Sequence, residues 1–141
     1  MIAYFDTSAL VPLVITEPAS ATCNRLWNEA TRVVSTRLIY PEVRAALAQA
    51  ERMHRLTAAE AAQAEDDLDA IALQISYLEI TAELAVSAGD LAQTHGLRGY
   101  DAVHLASAAL VNDDELVLVT GDRDLGQAAR AIGLSVALTT Q

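Results

Sequence analysis

Short apolar runs alternate with helical segments along this chain, and the alternation limits the folds that it can adopt. Residues 2–5 and 116–119 are continuous apolar runs, which indicates buried strands. Further strands are predicted at residues 32–35, 77–80 and 134–138, with helices between them. Strands that alternate with helices form a parallel sheet that is covered on both faces. The sequence therefore predicts an α/β fold, a three-layer α/β/α sandwich with a parallel sheet of about five strands.

Seven helices are predicted, and two of them form a hairpin between the second and third strands. The first helix of this hairpin extends from near Leu38 to about Met53, which is assigned to its apolar stripe. Thr57 followed by Glu60 is a capping-box signature, which begins the second helix of the hairpin. The apolar stripe of that helix is predicted to continue to Ile75, at helical spacing.

Length and composition fit one globular domain. The chain has 141 residues, of which 52% are hydrophobic, so residues 1–141 are predicted to form a single domain with one core. No apolar stretch reaches the roughly 18 residues of a membrane span, and no membrane association is expected. Residues 1–6 lack the basic region of a signal peptide. Cys23 is the only cysteine, so no internal disulfide can form, and we expect a cytoplasmic protein.

The chain is strongly acidic, with a formal net charge of −10, and all nine of its basic residues are arginines. This charge argues against a protein that binds nucleic acid by neutralising many phosphates. It leaves open a nuclease that binds phosphate through metal ions, because the ions then supply the positive charge.

Four carboxylates follow predicted strands or begin predicted helices. Asp6 directly follows the first strand, and Asp122 follows the fourth by two residues. In a doubly wound sheet of order 3-2-1-4-5 these strands are neighbours, and both acids lie at the edge where α/β proteins bind ligands. Glu42, which follows Pro41 at the start of the third helix, and Asp101, in the first turn of the sixth, can complete a ring. Carboxylates gathered at one edge repel one another unless a cation binds between them, so the pattern indicates a metal site.

Carboxylate oxygens are hard ligands that suit Mg²⁺ or Mn²⁺, and ions held in this way support phosphoryl transfer. Ser8, in the first turn after the first strand, can cap the helix or meet a phosphate. Thr120, at the end of the fourth strand, can hold a carboxylate by a hydrogen bond. Together these residues predict a metal-dependent phosphoryl hydrolase.

The four acids lie within four short motifs. The motifs are Asp6-Thr7-Ser8-Ala9-Leu10, Tyr40-Pro41-Glu42-Val43-Arg44, Tyr100-Asp101-Ala102-Val103-His104-Leu105-Ala106 and Thr120-Gly121-Asp122-Arg123-Asp124-Leu125. In this order and spacing they resemble the motifs of the PIN-domain nucleases, and most of all those of the VapC toxins of bacterial toxin–antitoxin pairs. The resemblance covers essentially the whole chain.

The resemblance implies a parallel α/β/α sandwich with Mg²⁺- or Mn²⁺-dependent endoribonuclease activity on RNA. It also implies a homodimer and inhibition by a cognate antitoxin. The acidic quartet of the family falls on Asp6, Glu42, Asp101 and Asp122, of which Asp6, Asp101 and Asp122 are expected to bind the metal ion directly. Supporting positions of the family fall on Ser8, Thr120 and Asp124.

Three other polar residues near the motifs each have two possible roles. Arg98 and Arg123 flank two of the acids, and they either contact RNA phosphate or balance charge. His104 lies three residues after Asp101 on the same helix face, and we expect a packed or hydrogen-bonded side chain rather than a metal ligand.

Two alternative functions remain open at this stage. One is another magnesium-dependent phosphoryl hydrolase, such as a small phosphatase of the haloacid dehalogenase type. Those phosphatases usually carry a second Asp two residues after the first, where this chain has Ser8. The other is a non-catalytic binding module with an acidic pocket, against which the complete set of four acids argues.

Overall fold

The computed structural model describes residues 1–140 and contains, within them, one parallel sheet of five strands in the order β3-β2-β1-β4-β5. All four strand pairs are parallel. The predicted α/β/α fold and its strand order are therefore confirmed. The strands are β1 (Ile2–Phe5), β2 (Arg32–Thr36), β3 (Ile75–Leu78), β4 (Leu116–Thr120) and β5 (Ser135–Leu138).

Helices connect successive strands, as parallel strands require. Thr57 accepts from the backbone N–H of Glu60, which confirms the predicted capping box, and Thr81 caps another helix by accepting from the backbone N–H of Leu84. Gly96 ends another helix in the left-handed conformation, with φ of 65°. The helices are α1 (Thr7–Val14), α2 (Ser20–Glu29), α3 (Ile39–Arg52), α4 (Ala58–Ala72), α5 (Ala82–His95), α6 (Gly99–Val111) and α7 (Arg123–Ala131).

The sheet has a core on each face because successive side chains of a strand point to opposite sides. Ala3 and Phe5 of β1 pack with residues of α1 to α4 on one face. Tyr4, between them, packs with residues of α6 and α7 on the other. Both faces are thus covered by helices. In residues 1–140 we find no helix with the length and apolar character that crossing a membrane requires.

Two residues assigned to the apolar stripes of the predicted helical hairpin lie outside its helices. Ile75 belongs to β3, where it pairs with Val33, and α4 ends at Ala72. The strand therefore begins two residues earlier than predicted, because Ile75 is buried in the sheet and does not continue the helical stripe. Met53 follows the end of α3 and is 59% exposed, so it is not part of the apolar stripe.

Candidate active site

A cleft of about 490 Å³ opens at the carboxyl edge of the sheet. Phe5 and Val119 lie opposite each other in the parallel pair of β1 and β4, so the residues that follow them, Asp6 and Thr120, are neighbours. The helices that begin near this edge contribute the rest of the wall. The four predicted acids all line this cleft: Asp6, Glu42, Asp101 and Asp122.

Asp6 is the most buried acid of the cleft, with 3% of its surface exposed. It caps the start of α1, where its Oδ1 accepts from the backbone N–H of Ala9 at 3.0 Å. The hydroxyl of Ser8 donates to the same oxygen at 2.7 Å, and the hydroxyl of Thr120 donates to Oδ2. The carboxylate is therefore held on both of its oxygens.

The two hydroxyl groups are themselves oriented by the loop that follows β4. The backbone N–H of Gly121 donates to the Ser8 hydroxyl at 2.8 Å, and that of Asp122 donates to the Thr120 hydroxyl at 3.0 Å. Each hydroxyl thus accepts from the backbone and donates its own hydrogen to the carboxylate. A Cβ at Gly121 would lie 3.1 Å from Thr139 Oγ1, so this loop approaches its neighbours as closely as glycine allows.

Asp122 and Asp101 lie at the N-terminal ends of two helices. Asp122 caps α7, because its Oδ1 accepts from the backbone N–H groups of Asp124 at 2.9 Å and Leu125 at 3.1 Å. Asp101 is in the first turn of α6, where its Oδ2 lies 3.5 Å from Nε of the largely exposed Arg98. Positive helix ends favour carboxylates at both places.

Glu42 is in the first turn of α3 and is half-buried. Its Oε1 lies 2.8 Å from Nε2 of His104, which is 1% exposed and also lines the cleft. His104 is therefore a buried, hydrogen-bonded helix residue, as expected. Its contact with Glu42 was not predicted, although its position three residues after Asp101 was a signal that it faces the cleft.

The electrostatics of the cleft favour a bound cation. Burial raises the pKa of the Asp6 carboxyl. Burial, followed by the negative charge of Asp122, raises the pKa of Asp101. Ionisation of these carboxyls is thus opposed in the protein alone, and a divalent cation would relieve the opposition.

The donor set fits Mg²⁺ or Mn²⁺, since it consists of carboxylate oxygens with hydroxyl groups behind them. As the side chains stand within residues 1–140, no group of three or more His, Cys, Asp or Glu residues is placed to hold a metal ion. These acids have partners within the protein: Asp122 caps a helix, Glu42 meets His104, and Asp101 faces Arg98. Each carboxylate has two oxygens and several lone pairs, so these contacts leave it able to accept an ion as well.

Comparison with known proteins identifies the relatives of this chain. The family model described as "PIN domain" matches residues 3–131. The chain belongs to the PIN-domain family. Ribonuclease VapC45 from Mycobacterium tuberculosis (strain CDC 1551 / Oshkosh) is 48% identical over 134 residues, which cover 95% of this chain and 93% of that protein. The resemblance to VapC ribonucleases that the four motifs indicated is confirmed.

Solved structures share the same fold. PAE2754 from Pyrobaculum aerophilum is 25% identical with a TM-score of 0.73, covering 96% of this chain and 92% of that one. A toxin–antitoxin complex from Klebsiella pneumoniae contains a chain that is 20% identical with a TM-score of 0.68, covering 99% of this chain and 98% of that one.

The remaining predicted site residues of this PIN domain differ in their distance from the cleft. Ser8 and Arg98 line it, and Thr120 lies buried behind it. Arg123 and Asp124 are exposed in the first turn of α7 and are not among the residues that line the cleft. Asp124 instead borders a separate depression on the surface with His95 and neighbouring residues. The roles of all these residues stay predictions.

Proposed function

We propose that this PIN-domain protein is a metal-dependent endoribonuclease and the toxin of a toxin–antitoxin pair. The observation that carries the proposal is the cleft lined by Asp6, Glu42, Asp101 and Asp122, in a chain 48% identical to a protein named a ribonuclease. The proposed substrate is RNA, and the proposed reaction is hydrolysis of a phosphodiester bond by water.

Three acids are the proposed ligands of the metal ion: Asp6, Asp101 and Asp122. When bound, Mg²⁺ or Mn²⁺ supplies Lewis acidity toward water and toward the phosphodiester. Glu42 either helps to bind an ion or orients the attacking water by accepting a hydrogen bond from it. Attack by water on phosphorus would leave a 5′-phosphate and a 3′-hydroxyl.

The hydroxyl groups behind Asp6 make the site rigid before substrate arrives. Ser8 and Thr120 each donate to one of its two oxygens, so the carboxylate cannot rotate without breaking these hydrogen bonds. A group held in position before the reaction avoids the cost of ordering it during the reaction. Arg98 is an exposed cation of the cleft wall, and we propose that it contacts an RNA phosphate.

Substitution of Asp6 by Asn tests this function. We expect Asp6→Asn to reduce Mg²⁺- or Mn²⁺-dependent RNA cleavage by about 10²-fold or more, because a neutral amide is a poor metal ligand. Asp66→Asn is the matched control, since Asp66 is exposed on α4 outside the cleft and its removal should leave cleavage unchanged. Circular dichroism would confirm that both variants fold.

Three results would contradict the proposal. Full metal-dependent cleavage by Asp6→Asn would exclude this residue as a ligand. Absence of cleavage by the unmodified protein, across diverse RNAs with either ion, would favour a binding module. Hydrolysis of phosphate monoesters alone would favour a phosphatase.

We further propose that a cognate antitoxin inhibits this protein in the cytoplasm. The neighbour from Klebsiella pneumoniae is described as a toxin–antitoxin complex, and this chain has a net charge of −10 that suits a basic partner segment. An arginine of such a segment can pair with the carboxylates of the cleft in place of a metal ion. Co-expression with the product of the adjacent reading frame should give a complex that does not cleave RNA. A product that neither binds nor inhibits, or recovery of the protein in a membrane fraction, would contradict this proposal.

A further inference from the structure

The active-site cleft is connected to the interior of the protein by a chain of buried polar side chains. Glu42 in the cleft wall contacts His104, whose Nε2 lies 2.8 Å from its Oε1. On the other side of the imidazole ring, Nδ1 lies 2.9 Å from the hydroxyl of Tyr4. Tyr4 is fully buried in β1, and its ring meets that of His104 edge to face, at 84°. The chain thus links the centre of the sheet to one of the four acids.

The chemistry of these contacts defines the protonation pattern of the ring. An ionised carboxylate only accepts hydrogen bonds, so the contact with Glu42 requires a hydrogen on Nε2 of His104. In the neutral ring, Nδ1 is then an acceptor, and the hydroxyl of Tyr4 can donate to it. Thr7, whose Oγ1 lies 3.3 Å from Nε2, is a second neighbour of the same hydrogen. One neutral tautomer therefore satisfies both the Glu42 and the Tyr4 contacts.

The contact with His104 holds the Glu42 carboxylate in place, whereas other acids of the cleft are held by different groups. Asp6 is held by two hydroxyl groups and Asp122 by the backbone of its helix. Glu42 has a longer side chain with more rotatable bonds than an aspartate, and it lies on a different helix, α3. A buried imidazole, itself held by Tyr4, restricts where the Glu42 carboxylate can lie.

We propose that His104 is a positioning residue that holds the Glu42 carboxylate in its working orientation, and that Tyr4 sets the tautomer in which His104 does so. This inference rests on the proposed endoribonuclease function and extends it to two residues that lie behind the acids. His104 does not touch the substrate in this account. It acts through Glu42 alone.

Two amide substitutions separate the hydrogen bond to Glu42 from the bulk of the ring. In His104→Gln the side-chain N–H₂ can occupy the place of Nε2, so a donor to Glu42 is retained. In His104→Asn the amide is one carbon shorter and reaches only the place of Nδ1, so that donor is lost. We expect His104→Asn to lower kcat by roughly 10- to 100-fold with little change in the KM for RNA. His104→Gln should recover most of this loss, and His95→Asn, at a histidine outside the cleft lining, should leave kcat unchanged.

A double-mutant cycle shows whether His104 acts through Glu42. In a Glu42→Gln background, His104→Asn should cause little further loss of kcat, because the group that it positions is already changed. Loss by the same factor in both backgrounds would overturn the proposal, and so would normal cleavage by His104→Asn. Absence of cleavage by the unmodified protein would overturn the proposed function itself and, with it, any catalytic role for His104.

Nuclear magnetic resonance gives a measurement that depends on neither metal nor activity, and it covers the case in which His104→Asn does not fold. In ¹⁵N-labelled, metal-free protein we expect His104 to carry hydrogen on Nε2, with Nδ1 as an acceptor. Tyr4→Phe, which removes only the hydroxyl, should shift the resonances of Nδ1 and reduce kcat less than His104→Asn does. An Nε2 without hydrogen would overturn the proposal, and an Nδ1 that does not respond to Tyr4→Phe would overturn the part assigned to Tyr4.

Discussion

At the scale of single residues, the hydroxyl of Thr120 links the backbone to the most buried acid of the cleft. It accepts from the N–H of Asp122 and donates to Oδ2 of Asp6, and it is fully buried. Replacement by a side chain of the same shape without the oxygen would leave both groups unsatisfied. Such a loss costs about 1–3 kcal/mol for a buried polar group.

We therefore expect Thr120→Val to lower the free energy of unfolding by about that amount and to reduce cleavage by about tenfold or more. Thr120→Ser keeps the hydroxyl and should retain most of the stability and most of the cleavage activity. Urea unfolding and initial cleavage rates would measure the two effects. Equal behaviour of the two variants would show that the hydroxyl has no part in holding Asp6.

The raised pKa values of Asp6 and Asp101 predict how stability depends on pH. Each folded-state pKa lies above the ordinary value of 3.8, so the folded protein keeps protons that the unfolded chain has already lost. Stability of the metal-free protein should therefore fall as the pH rises from about 3.8 through the raised folded-state values. Asp6→Asn removes one of these groups, and its urea-unfolding free energy should fall less steeply over the same range. An unchanged slope would contradict the raised pKa of Asp6.

The acids at the strand ends could be predicted from the sequence, but the contact between Glu42 and His104 could not. Asp6 follows its strand directly and Asp122 lies within two residues of the end of its strand, and the position of a strand end is a local property of the sequence. The contact between Glu42 and His104 depends instead on how α3 and α6 are rotated relative to each other. That rotation is set by packing across the whole sheet, which one sequence does not reveal.

At the scale of elements, α7 is positioned by close packing against β5. A Cβ at Gly126 would lie 3.0 Å from Leu138 Cδ2 and 3.3 Å from Val136 Cγ1, so a larger side chain would push the helix away from the strand. Because Asp122 caps this helix, the packing also helps to position an acid of the cleft.

Gly126→Ala should therefore lower the free energy of unfolding, because the cost of overpacking, about 1–3 kcal/mol, exceeds the roughly 0.5–1 kcal/mol that alanine contributes to a helix. Gly89 provides the matched control, since it is in the middle of α5 and a Cβ there would meet nothing within 4 Å. Gly89→Ala should raise the free energy of unfolding by about 0.5–1 kcal/mol, because alanine favours the helix. Equal and small effects at both glycines, measured by urea unfolding, would contradict the close packing at Gly126.

The spacing of the apolar residues explains why the boundary between α4 and β3 was predicted wrongly. Leu68, Ile71 and Ile75 are spaced three and four residues apart, which is the spacing of a helix face. The chain nevertheless leaves the helix at Leu73, and Ile75 enters the sheet beside Val33. Periodicity alone does not distinguish a buried strand residue from the next turn of a helix, since both are apolar. Alternation along the chain predicted the parallel sheet, whereas the strand order came from the doubly wound arrangement expected for such a sheet.

At the scale of the whole molecule, several large apolar side chains are exposed in the single chain. Leu73 is 89% exposed, Val86 is 67% exposed and Leu110 is 61% exposed. The predicted homodimer is compatible with such side chains and stays a prediction. Light scattering at micromolar concentration should give twice the chain mass of 15.0 kDa. A species of 15.0 kDa alone would contradict the dimer.

The charge of the molecule has a direct consequence for its proposed activity. With a net charge of −10, the protein as a whole repels RNA, so we expect binding to depend on a few arginines and on divalent ions in the cleft. We therefore propose that metal held by acids of the cleft, and not the substrate's own 2′-hydroxyl, drives the cleavage.

The chemical nature of the new RNA ends tests this claim most directly. Purified protein, incubated with a defined RNA in Mg²⁺ or Mn²⁺, should produce fragments with 5′-phosphate and 3′-hydroxyl ends, and a chelator should abolish the cleavage. Mass spectrometry of the fragments identifies both ends. Fragments that carry 2′,3′-cyclic phosphates, or cleavage that persists in the chelator, would contradict the proposed mechanism.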